Sequence, residues 1–260
     1  MTIPSLVSPI EKLKALTPGT NINVVLSGGG VKCAGHIALL EEIEHLGLVI
    51  NAISGSSGGA LVAALYASGV PLQDILTIFK ETTLFKITYF SLTKAGIFDT
   101  FLFKSVIENK LKKRFEELRF STYITASNIQ DGIPVYFNKG DLLSPILASC
   151  AIPGVFSPIE VDGVLYSDGG VLDNFPIRPF INETLPLIGS YVSTPPKRTK
   201  NELNSTLKVV TQTAFLLAHS AESFKFDHTS LTIQFPLSQY FGLDNKETVT
   251  IYESCKALFL

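Results

Sequence analysis

The sequence predicts an α/β fold in which helices pack on both faces of a mainly parallel central sheet, giving a three-layer α/β/α arrangement. Two consecutive strand, loop and helix units near the start of the chain indicate this, because strands joined by a helical crossover lie parallel in one sheet. Strands and helices continue to alternate afterwards, and no segment repeats. At 260 residues the chain has a length at which α/β proteins form one domain. We therefore expect a lead-in over residues 1–20 and a single domain over residues 21–260.

The first two units are well defined by their glycines. A β-branched run at residues 21–26 precedes Gly28, Gly29 and Gly30, and apolar residues then recur at helical spacing over residues 33–46. A second strand at residues 49–54 leads into Gly55-Ser56-Ser57-Gly58-Gly59 and a helix over residues 58–68. The glycines mark sharp turns between each strand and its helix.

The later elements follow from periodicity and turn residues. The pattern predicts helices over 71–79, 104–118, 141–149, 206–226 and 246–258, and strands over 121–127, 134–138, 187–192 and 230–235, with a turn and then a short strand within 161–166. Turns are expected at Asp131-Gly132 and Asp162-Gly163, and a second glycine-supported loop at Asp168-Gly169-Gly170. The aromatic-rich stretch 84–103 lacks a clear period and predicts either a buried connection or a mobile flap or lipid-facing lip.

Composition excludes several classes of protein. A net charge of −2 argues against nucleic-acid binding, which needs a basic face. The basic residues between 104 and 119 alternate with glutamates, which predicts a solvated helix face, with a weak lipid-headgroup contact as the alternative. Three widely spaced cysteines indicate a reducing, cytoplasmic setting without disulfides or zinc. We expect no signal peptide and no transmembrane helix, because no apolar stretch reaches spanning length.

The segment from Gly55 to Gly59 fits the pattern G-x-S-x-G with Ser57 at its centre. A strand that turns sharply into a helix can hold a serine hydroxyl exposed as a nucleophile. The alternative is that these serines only cap the helix that follows, which serine often does.

The triple-glycine loop has three possible uses: a dinucleotide site, a P-loop or an oxyanion hole. A dinucleotide fingerprint fails at Cys33, and a P-loop fails because Cys33 follows Lys32 where Ser or Thr is required. Free backbone amides at the start of a helix remain, and these suit an oxyanion hole.

The proton acceptor for Ser57 has two candidates. Asp168 together with His219 or His228 would complete a triad in the order of α/β-hydrolases. Alternatively, Asp168 itself accepts the proton, which requires a partly desolvated carboxylate with few hydrogen bonds to its charged form.

Taken together, these motifs resemble those of patatin-like phospholipases, whose G-G-G-x-R/K loop, G-x-S-x-G elbow and D-G-G/A motif occur in this order. Further phrases are similar at residues 63–69, 96–99, 148–156 and 171–176, so the resemblance covers roughly residues 20–190, the motif-bearing part being residues 21–190. Lys32, Cys33 and Ala38 depart from the family's commonest residues, which are arginine and glycines.

The resemblance implies a patatin-like fold and a Ser57-Asp168 dyad acting on lipid acyl esters. It places the oxyanion at the amides of the loop Gly28, Gly29, Gly30 and Val31, with support from Lys32, Gly55, Gly59, Gly169 and Gly170. It implies no cofactor or metal, a phospholipid or other acyl-ester lipid as substrate, and peripheral membrane contact. The alternatives are a catalytically silent lipid-binding or regulatory protein and an acyltransferase that uses the same nucleophile.

Overall fold

The computed structural model describes residues 8–81 and 100–260, and contains one sheet and eight α-helices within them. The strands are β1 Asn21–Leu26, β2 Val49–Ser56, β3 Ser121–Asn128, β4 Ile133–Phe137, β5 Ile159–Val161, β6 Val164–Asp168, β7 Leu187–Tyr191 and β8 Leu231–Gln234. The helices are α1 Pro9–Lys14, α2 Ala34–His45, α3 Gly58–Ala67, α4 Leu72–Glu81, α5 Thr100–Ile107, α6 Leu143–Ser149, α7 Thr206–Ser223 and α8 Thr248–Lys256.

The sheet is mainly parallel, which confirms the predicted fold class. Its order is β5-β6-β3-β2-β1-β7-β8, and β4 pairs with β3 outside this path. The run β3, β2, β1, β7 and β8 is parallel throughout, whereas β4, β5 and β6 add antiparallel pairs. In the register, Leu26 lies between Gly55 of β2 and Ser190 of β7. The loops that follow β1, β2 and β7 therefore leave the sheet at the same carboxyl edge, where α/β sheets bind ligands.

Alternating side chains of the strands feed two apolar layers. Val24 and Leu26 enter a large core together with residues of α2, α3, α4 and α8. Val25 points to the other face and packs with Phe175 and Tyr191, against which Phe226 also lies. The sheet is thus covered on both sides, as its runs of apolar strand residues require.

Two predicted segments differ from the structure. The helix expected over residues 104–118 ends at Ile107, because residues 113–115 pair with residues 140–142 and the chain beyond Ile107 keeps only turns of its own. Phe115 is buried there, and the basic residues around it are mostly exposed but do not form a helix face. Helix α1 of the predicted lead-in packs on the body through buried Leu13. Most of the aromatic stretch 84–103 lies outside the described residues.

Candidate active site

Ser57 occupies the turn between β2 and α3, with φ of 53° and ψ of −127°. A residue with a side chain adopts this backbone conformation only where the surroundings impose it, as in nucleophile elbows. Ser57 makes no side-chain capping bond to α3, and Ser54 donates its hydroxyl to the carbonyl of Pro176. The alternative that these serines only cap the helix is therefore wrong.

The glycines flanking Ser57 allow β2, α3 and β1 to approach closely. A Cβ atom on Gly55 would lie 2.5 Å from the carbonyl oxygen of Gly59. A Cβ on Gly59 would lie 2.4 Å from the carbonyl oxygen of Ser27. Both distances are below any van der Waals contact, so only glycine permits the packing that holds the elbow.

Asp168 ends β6 and points its carboxylate at Ser57. The Ser57 hydroxyl donates to Asp168 Oδ2 over 2.6 Å. The other carboxylate oxygen, Oδ1, accepts the amide hydrogen of Gly170 over 2.8 Å. Gly169 passes close to the backbone of β3, since a Cβ there would be 2.2 Å from the carbonyl oxygen of Thr125. The two glycines thus fix the carboxylate beside the hydroxyl.

The environment of Asp168 makes its carboxylate more basic than usual. Only 6% of this residue is exposed, and burial raises its pKa to about 6. The hydrogen bonds from Ser57 and Gly170 oppose this rise without cancelling it. A pKa near the working pH is the property that a general base needs.

All four histidines lie in the described residues, and none has a recorded hydrogen bond to Ser57 or Asp168 there. His36 is buried between Ser190 Oγ at 2.6 Å and the Ser27 carbonyl at 2.7 Å, and burial lowers its pKa to about 4. His219 of α7 bonds to the hydroxyl of Tyr191 over 3.0 Å. The Ser57 hydroxyl donates to a carboxylate, so the geometry favours the direct pair over a triad.

The glycine loop lies directly beside the nucleophile. A Cβ on Gly28 would be 3.1 Å from Ser57 Cβ. The amide of Gly28 donates to the Asn174 carbonyl over 3.0 Å, and that of Val31 donates to the Gly242 carbonyl over 2.8 Å. Among the described residues, the amides of Gly29 and Gly30 have no acceptor. Of the amides of Gly28, Gly29, Gly30 and Val31, only those of Gly29 and Gly30 are therefore left as candidate donors to an oxyanion.

The next two residues of the sequence have structural contacts of their own. Lys32 is partly buried, and this burial lowers its pKa. Its amide donates to the Gly29 carbonyl and so tightens the loop. Cys33 is buried, with Sγ 3.6 Å from the carbonyl oxygen of Ser27. The cysteine that replaces the usual glycine is therefore accommodated inside the loop.

Several residues that were not predicted from the sequence hold Ser57 and the glycine loop in place. Ser149 accepts the amide hydrogen of Ser57 over 2.9 Å. Asn174 holds Gly28 through its carbonyl, and its side chain fills the space that a Cβ on Gly28 or Gly170 would need. Residues 173–176 belong to a phrase that resembles the family, and this was the available signal for Asn174.

Helix α7 holds the segment around Asn174 through Glu222. Glu222 is buried and accepts the amide hydrogens of Asn174 and Phe175, each over 3.0 Å. Lys225 pairs with Glu222 at 2.5 Å and with Asp173 at 2.7 Å. Nothing local in the sequence marks this role of Glu222, because the two amides that it holds lie nearly fifty residues away.

The described residues contain neither a metal cluster nor a bilayer-spanning helix. Within residues 8–81 and 100–260, no three His, Cys, Asp or Glu side chains are grouped to hold a metal ion. No α-helix of this part is long and apolar enough to cross a bilayer. Cys33, Cys150 and Cys255 are all unpaired.

Comparison with known proteins identifies a family model and several relatives that match this chain. The family model for patatin-like phospholipases matches residues 24–181. An uncharacterized NTE family protein of Mycobacterium tuberculosis is 32% identical over 162 residues, covering 61% of this chain and 45% of the relative. Lysophospholipase NTE1 of Saccharomyces cerevisiae is 27% identical over 177 residues, covering 64% of this chain and 10% of that protein. The chain thus spans less than half the length of either relative.

A solved structure agrees at the level of the fold. VipD from Legionella pneumophila superposes with a TM-score of 0.51 at 13% identity, covering 92% of this chain and 66% of that chain. The family match includes the glycine loop, the Ser57 elbow and the Asp168 loop within well over half of the sequence. The protein therefore belongs to the patatin-like phospholipase family.

Proposed function

We propose that this protein hydrolyses acyl esters of lipids, with Ser57 as nucleophile and Asp168 as its base. The observation that carries the proposal is the 2.6 Å hydrogen bond from the Ser57 hydroxyl to Asp168 Oδ2, made in a buried setting at a strained elbow. A serine hydroxyl becomes nucleophilic when a positioned base removes its proton during attack.

The reaction proceeds in two halves. Ser57 Oγ attacks the ester carbonyl while its proton passes to Asp168, and the amides of Gly29 and Gly30 stabilise the negative oxygen of the tetrahedral intermediate. The intermediate collapses, the leaving alcohol takes the proton from Asp168, and the acyl group stays on Ser57. Water then gives a proton to Asp168 and attacks the acyl-enzyme. The fatty acid departs as Ser57 regains its proton.

Family membership supports a phospholipid, lysophospholipid or related acyl-ester lipid as the substrate class. The name of the yeast relative, a lysophospholipase, points the same way. The proposal places the enzyme in the cytoplasm, where unpaired cysteines stay reduced, and in peripheral contact with its lipid.

Lipid mass spectrometry tests this function. Mixed phospholipids and neutral glycerides are incubated with the wild type and with Ser57→Ala. We expect free fatty acid and deacylated lipid only with the wild type. Identical lipid profiles for both proteins would remove the hydrolase assignment and favour the silent lipid-binding alternative.

A second product analysis separates hydrolysis from acyl transfer. An alcohol acceptor is added to the same incubation, since the acyl-enzyme can pass its acyl group to either water or an alcohol. We expect the fatty acid to remain the main product. A new ester that dominates over the fatty acid would assign the chain as an acyltransferase.

A further inference from the structure

Helix α7 contacts the protein through polar side chains and leaves most of its apolar residues exposed to water. On the inner side, Gln212 donates to the Pro196 carbonyl over 2.8 Å, His219 contacts the Tyr191 hydroxyl, and buried Glu222 accepts two backbone amides. These residues follow one another at intervals of seven and three, so they share one face of the helix.

The opposite side of α7 carries an exposed apolar stripe. We define the stripe by four residues of α7 and the residue that directly follows it: Val209, Val210, Leu216, Leu217 and Phe224. Leu217 is 68% exposed, Phe224 60% and Val210 59%. A surface helix normally buries its apolar face. Helix α7 instead makes its contacts through polar side chains and leaves these apolar side chains exposed. Such a contiguous patch indicates a contact with something other than water.

The stripe lies beside a concentration of positive charge. Residues 196–218 contain Lys197, Arg198, Lys200 and Lys208 but only one acid, Glu202, which gives this segment a net charge of +3. The whole chain has a net charge of −2. The four basic residues are exposed, and Arg198 pairs with Glu202 at 3.0 Å. Cations next to an exposed apolar face complement a surface of anionic lipid headgroups.

The stripe also lies on the side of the sheet that carries Ser57. Tyr191 ends β7 at the carboxyl edge of the sheet, and its hydroxyl contacts His219 of α7. The chain after α7 returns to β8, which pairs with β7 from Ile188 onward. Residues 206–218, roughly 20 Å of helix at about 1.5 Å per residue, therefore extend outward from the edge where Ser57 and Asp168 meet.

Three further exposed apolar residues adjoin the same site. Val171 and Leu172 directly follow the Asp168-Gly169-Gly170 loop and are 49% and 40% exposed. Phe241 is exposed next to Gly242, whose carbonyl accepts the amide of Val31. The apolar surface of α7 is thus accompanied by apolar residues after the Asp168 loop and beside the glycine loop.

We propose that α7 is the lipid-docking element of this protein, with its stripe entering the acyl boundary of a bilayer or micelle and its flanking cations meeting anionic headgroups. As a route to substrate, this docking rests on the proposed function. A second copy of the chain is the less favourable occupant, because a symmetric contact through α7 would bring two segments of charge +3 together.

Vesicle sedimentation tests the docking with matched variants. All proteins carry Ser57→Ala, so that the vesicles stay intact, and the vesicles contain equal parts of phosphatidylglycerol and phosphatidylcholine. Leu217→Glu lies on the stripe, whereas Thr211→Glu adds the same charge to an exposed position of α7 outside the stripe. We expect Leu217→Glu to bind the vesicles roughly tenfold more weakly than Thr211→Glu, because it also removes a leucine side chain that would enter the bilayer.

Parallel measurements distinguish the outcomes. Equal binding by the two variants, or no binding by the unmodified helix, would overturn the docking proposal. A lipid-free dimer that Leu217→Glu alone converts to a monomer would also overturn it, in favour of self-association.

The soluble ester p-nitrophenyl butyrate is assayed with Ser57 restored. Equal turnover by both variants supports a role in docking alone, and slower turnover by Leu217→Glu would overturn that role. If the wild type fails to cleave any ester while the stripe still governs vesicle binding, the proposed function is lost and the docking surface stands.

Discussion

Helices α3 and α7 are both rich in apolar residues, yet the structure uses them in opposite ways. All ten residues of α3 are buried, and its first glycines lie within contact of β1 and β2. Helix α7 is held mainly at one end, through His219 and Glu222, and exposes its stripe. The comparison indicates that α3 fixes Ser57 by packing, whereas α7 supports the candidate site at its anchored end and presents a surface at the other.

The first prediction tests the packing of α3. Gly59→Ala would place a methyl group 2.4 Å from the carbonyl oxygen of Ser27, the residue that follows β1. We expect the free energy of unfolding to fall by at least about 3 kcal/mol, with loss of esterase activity. Chemical denaturation measures the former and p-nitrophenyl butyrate turnover the latter.

Gly132→Ala is the control for a glycine substitution in open space. Gly132 has φ of +70°, and a Cβ atom on it would meet no heavy atom within 4 Å. The expected cost is therefore about 1 kcal/mol, from backbone strain alone. A loss for Gly59→Ala no larger than this would show that close packing does not fix α3.

The second prediction concerns the carboxylate that faces the start of α3. The pKa of Asp168 in the folded protein is about 6, above its ordinary value of 3.8. Between these two pH values the folded state keeps a proton that the unfolded state has released. Stability therefore falls as pH rises through this window, by about 3 kcal/mol in all.

Asp168→Asn removes this cost of burying a charge. We expect the variant to be more stable than the wild type at pH 7.5 by up to about 3 kcal/mol, with the difference vanishing below pH 4. Denaturation at both pH values measures it, with exposed Asp227→Asn as the control. A variant that is less stable than the wild type at pH 7.5 would show that the charged carboxylate is well satisfied in the fold.

The third prediction sharpens the division within α7. Glu222→Gln keeps the shape but removes the charge that holds two amides and Lys225. We expect kcat for p-nitrophenyl butyrate to fall about tenfold with little change in KM, because the oxyanion loop is held through Asn174. Steady-state kinetics measure both constants.

Glu202→Gln provides the matched control, since Glu202 is exposed and precedes α7. An equal, small effect of both substitutions would mean that the anchored end of α7 does not position the site. Leu217→Glu, which lies on the stripe, should leave the turnover of this soluble ester unchanged.

The same contrast explains what the sequence could predict. The elbow at Ser57 is a local feature, because strand, turn and helix are adjacent in the chain and their glycines mark the close approach. Asp168 is identified by its motif and order, since no local pattern brings it to Ser57. The parallel order of β1 and β2 follows from their helical crossover.

The features that the sequence does not predict depend on long-range contacts. Glu222 meets Asn174, and Gly242 meets Val31 of the glycine loop, only in the folded chain. Neither residue is marked by a sequence motif. The helical pattern at residues 104–118 is overridden beyond Ile107 by pairing with residues 140–142. The pattern of α7 predicts a helix but gives no indication that its apolar side faces outward.

The central claim is that Asp168 activates Ser57 directly, and the rate of labelling by a fluorophosphonate probe tests it most closely. We predict that Ser57 alone is labelled, at a rate that rises with pH through about 6 and then levels off. Asp168→Asn should react at least about 100-fold more slowly, while His219→Ala and His228→Ala react as the wild type does. Labelling of Asp168→Asn at the wild-type rate, or its loss in either histidine variant, would contradict the claim.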